Sequence, residues 1–112
     1  MTNNKKSTRY YSGRQERKVA KAVKGKLVSN SGASDFTAGD IQTDLFLLEC
    51  KTKTQDSKSF TIKKEWFEKN KEESFAMGKP YSAVVINFGD GENHYIISEK
   101  LFKRLLEHLE VD

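Results

Sequence analysis

Glu49-Cys50-Lys51 closes an apolar run that begins at Leu45. Leu45-Phe46-Leu47-Leu48 is apolar at successive positions, the pattern of a central strand covered on both faces. Side chains alternate along a strand, so Glu49 and Lys51 project to one face. Cys50 projects to the other, with Phe46 and Leu48. A carboxylate and an ammonium at the end of an apolar strand are not required for packing. Asp40 lies just upstream, with eight residues between it and Glu49. A turn at Thr43-Asp44 would set Asp40 beside the Glu49 end of the adjacent strand. Glu16 comes from the inward stripe of an early helix, three residues before Val19 and four before Ala20. Three carboxylates and a lysine can therefore converge. Asp40 and Glu49 offer hard oxygen ligands to Mg²⁺, with Mn²⁺ as the alternative. The Cys50 backbone carbonyl can add a ligand. Such a metal holds a phosphate oxygen and lowers the pKa of an attacking water. Lys51 can orient that water or stabilise charge developing on phosphate. Glu16 can join a second metal or hold Lys51 in place. This is equipment for hydrolysing a phosphodiester.

Each of these residues has a plainer use. Glu-x-Lys on a strand is commonly a solvent-facing ion pair worth little. An Asp after Gly39 is commonly a turn residue, and a Glu among bases a helix-surface partner. Asp35 competes with Asp40 but lies further from the strand, and Asp44 belongs to the turn. Lys53 continues the Glu49 and Lys51 face, either as a phosphate contact or as a solvated charge. Trp66 and Phe67 read as core rather than base-stacking groups. Cys50 reads as a small buried residue, and His94 and His108 as ordinary strand and helix residues.

The elements that must carry this set follow from periodicity and turn signals. Residues 1–12 are basic and lack periodicity, which predicts a flexible arm; residues 13–112 form a single domain. A helix is expected over 13–25, from the stripe Val19, Ala20, Val23 and Leu27. Short strands follow at 27–29 and 40–42, then the central strand 45–52. The segment 62–77 reads as a helix stopped by Gly78 and Pro80, with blurred periodicity. Strands at 81–88 and 94–97 flank the Asp90-Gly91 turn. Ser98 caps a last helix with the stripe Leu101, Phe102, Leu105, Leu106 and Leu109. The order α–β–β–β–α–β–β–α predicts an α/β fold, a mixed central sheet flanked by helices.

Composition narrows the partners. The chain has 112 residues, enough for one domain, with no apolar run long enough to span a membrane. Residues 1–14 hold no apolar signal-peptide core. One cysteine and two histidines exclude a disulfide scaffold and a conventional structural zinc site. The net charge of +4 is unevenly placed. Residues 1–34 hold nine bases and one acid, a net of +8; residues 35–112 hold eleven and fifteen, a net of −4. A basic front suits a polyanion. Lys5, Lys6 and Arg9 beside Tyr10 and Tyr11 suit a nucleic acid, phosphates on the bases and nucleobases on the rings. Arg14 and Arg17 are free to face solvent or DNA. A binder of phosphate alone has no use for Glu16, Asp40 and Glu49 together, since they repel the backbone unless a metal is present.

Glu16, Gly39-Asp40 and Glu49-Cys50-Lys51 together resemble the PD-(D/E)xK nuclease superfamily. Within it the chain is similar to the archaeal-type Holliday junction resolvases and their phage-encoded relatives. These have a Glu-Arg pair on an early helix (here Glu16-Arg17) and a Ser-Gly-Ser-type loop (here Ser31-Gly32-Ala33-Ser34). An Asp on the second strand and Glu-x-Lys on the third complete the pattern. The likeness covers about two thirds of the chain, residues 13–88. It implies a restriction-endonuclease-like core and a Mg²⁺-dependent endonuclease acting as a homodimer on four-way DNA junctions, in the cytoplasm. It also implies a phosphate-contacting serine, Ser31 or Ser34. Gly39 replaces the family's proline, and Ala33 interrupts the small-residue loop. A restriction or repair endonuclease of the same superfamily, or a non-catalytic nucleic-acid binder, are the alternatives. The last helix and the Tyr81–Ile97 hairpin are the expected dimer surfaces.

Overall fold

A computed structural model describes residues 7–28 and 40–111. Its first helix, α1 (Thr8–Val23), starts five residues before the expected position. Ser7 explains the early start: its side chain accepts a hydrogen bond from the Tyr10 amide at 3.2 Å, satisfying a helix-end donor. Residues 8–12, expected in the arm, are therefore helical. The helix closes at Lys24, whose φ of 56° is left-handed. At Gly25 a Cβ would stand 2.8 Å from both the Gln42 carbonyl oxygen and an Ile41 methyl. A glycine is needed here for the chain to pass so close to the next strand.

Among the described residues, five strands follow the expected order: β1 (Lys26–Leu27), β2 (Asp40–Gln42), β3 (Phe46–Thr52), β4 (Tyr81–Asn87) and β5 (Asn93–Ile96). They form one mixed sheet in the order β1-β2-β3-β4-β5. Only β3 and β4 run parallel, joined by helix α2 (Lys64–Ala76). The remaining neighbours are antiparallel. Helix α3 (Glu99–Leu109) closes the chain, with the Ser98 side chain accepting from the Leu101 amide as expected of an N-cap.

Strand β3 is covered on both faces, but Leu45, expected as its first residue, lies in the turn and is 53% exposed. On the α1 side, Leu48 packs with Val19, Ile41, Ala83 and Val85, and Cys50 and Phe46 join the margin of that core. Leu47 is fully buried on the other face, and its carbonyl accepts from Asn70 of α2 at 3.3 Å. The blurred pattern of α2 now has a cause: its buried residues, Asn70 and Ser74, are polar. In α3, Leu101 is buried but Phe102, Leu105, Leu106 and Leu109 are exposed. The amphipathic stripe is real, but its apolar side is not turned into this core. Among the described residues, no helix is long and apolar enough to cross a membrane.

Gln15 fixes the end of β3 that carries Lys51. Its side-chain amide is buried and donates toward the carbonyls of Lys51 (2.9 Å) and Val85 (3.3 Å) and the Asn93 side-chain oxygen (3.2 Å). One residue of α1 thus ties three strands together. Gln15→Leu removes a donor shared by these acceptors, of which Asn93 Oδ1 keeps the Asn87 side-chain amide at 3.0 Å, so urea denaturation is expected to show a loss of about 1 kcal/mol. An unchanged midpoint would mean that the network carries no stability.

Candidate metal centre

Asp40 and Glu49 are direct partners across the β2–β3 ladder. Residues opposite one another share a face and lie close together. The turn lies at Asp44-Leu45, one residue later than expected, with the Thr43 amide donating to the Phe46 carbonyl at 3.0 Å, and that offset is what sets Asp40 opposite Glu49. Helix α2 adds a third acid, Glu73. One carboxylate oxygen from each of Asp40, Glu49 and Glu73 lies within 4.8 Å of the others. Asp40 and Glu49 are only 3% and 7% exposed.

Lys51 follows Glu49 on the same face, as alternation requires. Its ammonium is 3.2 Å from Glu49 Oε2 and 4.9 Å from the centre of the Trp66 ring. A carboxylate on one side and an aromatic face on the other hold the cation in place. Glu49, Lys51, Trp66 and Lys69 line a groove rimmed by Glu65, Glu68 and Glu72 of α2.

The charge balance of this cluster is incomplete. Among the described residues, Glu49 Oε1 and Asp40 Oδ2 are buried and have no hydrogen-bond partner. Asp40 is pushed up to about 8, first by burial, then by the charges of Glu73 and Glu49 and a hydrogen bond with Glu73; Lys69 opposes the shift. Buried acids this close need a proton or a cation to coexist. Hard oxygen donors without a sulfur or imidazole among them suit Mg²⁺ or Mn²⁺ rather than zinc.

Glu16 is not among the carboxylates that meet. It is half-buried on α1, with its carboxyl raised by burial and lowered by Arg9 and Arg17. Helix α1 packs on the Cys50 face of the sheet, whereas Glu49 and Lys51 point to the α2 face. The alternation of β3 thus separates Glu16 from the expected convergence, and Glu73 stands in the third place. Cys50 offers the Glu49 face its main chain only. Its half-buried thiol is pushed up by burial and by the charges of Glu16, Asp40 and Glu49, which makes it a poor nucleophile.

Glu73 carries a signal in the sequence, but a polar one. Trp66, Asn70, Glu73 and Ser74 follow helical spacing, so a stripe faces the sheet. A search for apolar periodicity passes over it. Of the expected DNA contacts, Arg9, Arg14 and Arg17 are exposed on α1. Lys53 is half-buried, with its ammonium 5.4 Å from the centre of the Phe60 ring. Lys5, Lys6, Ser31 and Ser34, together with Asp35 and Gly39, lie outside the described residues.

The raised Asp40 gives the metal-free protein a pH signature. The folded carboxyl titrates near 8 and the unfolded one near its ordinary 3.8. Below both values the two states hold the proton equally. Between them the folded state binds more protons, so its stability falls as pH rises through this window. In EDTA, the urea midpoint is expected to be higher at about pH 5 than at about pH 8, and Asp40→Asn should flatten the difference. A midpoint that rises over the same interval would contradict the buried carboxyl cluster.

No protein family model, curated protein or solved structure matches the chain.

Proposed function

We propose that the chain is a metal-dependent endonuclease with a restriction-endonuclease-like core, cutting DNA at four-way junctions. The observation that carries this reading is the direct pairing of Asp40 with Glu49, each with a buried unpartnered oxygen, beside a lysine fixed two residues on. Asp40 and Glu49 would hold the cation, with the Cys50 carbonyl as a further ligand. When bound, Mg²⁺ supplies a Lewis acid for the scissile phosphate and a water acidified toward hydroxide. Lys51 presents its ammonium where negative charge develops on phosphate, and Glu49 and Trp66 restrict it to that position. The exposed Arg9, Arg14 and Arg17 supply sequence-independent attraction to the DNA backbone.

The junction as substrate is inferred from the family likeness. Paired cuts in opposed strands require two sites related by a twofold axis. The uncovered stripe Phe102, Leu105, Leu106 and Leu109 supports α3 as the surface that joins two copies. Sedimentation is expected to give a dimer at micromolar concentration, and a monomer there would remove the paired-cut arrangement. The substrate test compares a synthetic four-way junction with linear duplex and flap DNA, each with and without Mg²⁺. Preferred, Mg²⁺-dependent cutting of the junction is expected. Equal cutting of linear duplex would replace the junction reading with a restriction or repair type.

A further inference from the structure

Helix α2 is weakly equipped to hold itself on the sheet. Its buried residues are Asn70 and Ser74, Trp66 and Phe67 are half-buried, and Phe75 is 86% exposed. With polar residues at its most buried positions, the helix relies on more than apolar burial to stay docked. Asn70 donates to the Leu47 carbonyl at 3.3 Å, and Glu73 places one carboxylate oxygen within 4.8 Å of one on each of Asp40 and Glu49. Three acids so placed repel one another unless a cation lies between them.

We propose that Glu73 is the third protein ligand of the divalent cation held by Asp40 and Glu49, and that this ligation fastens α2 to the sheet. From the functional reading this takes only the cation at Asp40 and Glu49. Glu73 is one of the three acids whose oxygens lie within 4.8 Å of one another, and Glu16 is not. Two oxygens in that cluster, Asp40 Oδ2 and Glu49 Oε1, are buried without partners among the described residues, on side chains more than nine-tenths buried. Ordinary surface acids do not leave oxygens in that state, because water satisfies them. A cation shared by β2, β3 and α2 would satisfy all three and replace their mutual repulsion with attraction. The metal then has a structural task besides chemistry: it orders the helix whose Trp66 holds Lys51.

The test uses the full chain and two readouts that do not depend on cleavage. Mn²⁺ affinity is measured by calorimetry for wild type, Glu73→Gln and the remote control Glu107→Gln. Amide hydrogen exchange over 64–76 is measured in wild type and Glu73→Gln with EDTA and with saturating Mg²⁺. Glu73→Gln is expected to weaken binding by at least about tenfold, the scale of losing a group that supports a metal site. Glu107→Gln should bind as wild type does. Mg²⁺ should slow exchange across α2 in wild type, and Glu73→Gln should abolish that slowing. Wild-type affinity in Glu73→Gln, or α2 exchange in wild type that ignores Mg²⁺, would overturn the proposal. Neutralising an acid in this cluster relieves repulsion, so folding is not threatened, and the wild-type exchange comparison needs no variant. Metal-dependent protection of α2, lost in Glu73→Gln, in a protein that cuts no DNA would refute the nuclease reading alone. Cleavage with metal affinity indifferent to Glu73→Gln would refute this inference alone.

Discussion

Asp40→Asn is expected to lose Mg²⁺-dependent cleavage by about a thousandfold or more while the metal-free protein becomes more stable. The two effects have one origin. Asp40 is 3% exposed, faces Glu49 directly and lies with one carboxylate oxygen within 4.8 Å of one on Glu73. In the absence of a cation its charge is a burden on the fold, which is why its carboxyl titrates near 8. The amide keeps the shape and removes the charge. A gain of ~1 kcal/mol would raise the melting temperature by about 5 °C in a domain of this size. With Mg²⁺ present the same change removes a hard anionic ligand. Several kcal/mol of transition-state stabilisation depend on such a metal, and each ~1.4 kcal/mol is tenfold in rate. Junction binding should persist, since exposed bases rather than Asp40 carry the attraction to phosphate. Thermal melts in EDTA and single-turnover cleavage in Mg²⁺ check the pair. A structural acid would give the reverse combination: lower stability and unchanged cutting.

Lys51→Met is expected to lower the cleavage rate by about a hundredfold to a thousandfold, the scale for removing one preorganised donor to developing charge. Metal affinity should not fall, because Lys51 competes with the cation for Glu49 rather than helping to bind it. Its ammonium is 3.2 Å from Glu49 Oε2. Without metal, the variant leaves Glu49 buried and unpaired, and because Lys51 is 35% exposed and partly screened by water, stability in EDTA should drop by about 1 kcal/mol and be recovered on adding Mg²⁺. Lys51→Arg should restore little cleavage, because a planar fork does not reproduce a point charge seated over Trp66. A Lys51→Met variant that cuts at the wild-type rate would reduce the Glu49–Lys51 pair to a surface salt bridge.

The faces of the strand half were legible from sequence because strands obey a period of two: Lys51 on the Glu49 face and Cys50 on the other follow from that rule. The register was not, since a tight turn at Thr43-Asp44 would pair Asp40 with Leu47, and the turn one residue later sets it opposite Glu49. The helix half was harder to read. Glu16 lies on the inward stripe of α1, yet a stripe says only that a residue faces the sheet, not which face of the sheet it meets. Glu73 sits in a polar stripe with Asn70 and Ser74, where a search for apolar spacing finds nothing. The helix start at Thr8 depends on Ser7 as a cap rather than on any apolar residue. The α3 stripe was seen, but whether it meets this core or another copy depends on the direction in which the chain leaves β5. Those misses share a cause: local pattern gives an element and its faces, while pairing between elements is a property of the whole fold.

The most direct measurement is of wild-type protein incubated with a labelled four-way junction in Mg²⁺ and, in parallel, in EDTA, with the products separated on a denaturing gel. Cleavage in Mg²⁺ and none in EDTA is expected. A junction that is bound but left intact in both Mg²⁺ and Mn²⁺ would contradict a hydrolytic role for Asp40, Glu49 and Lys51.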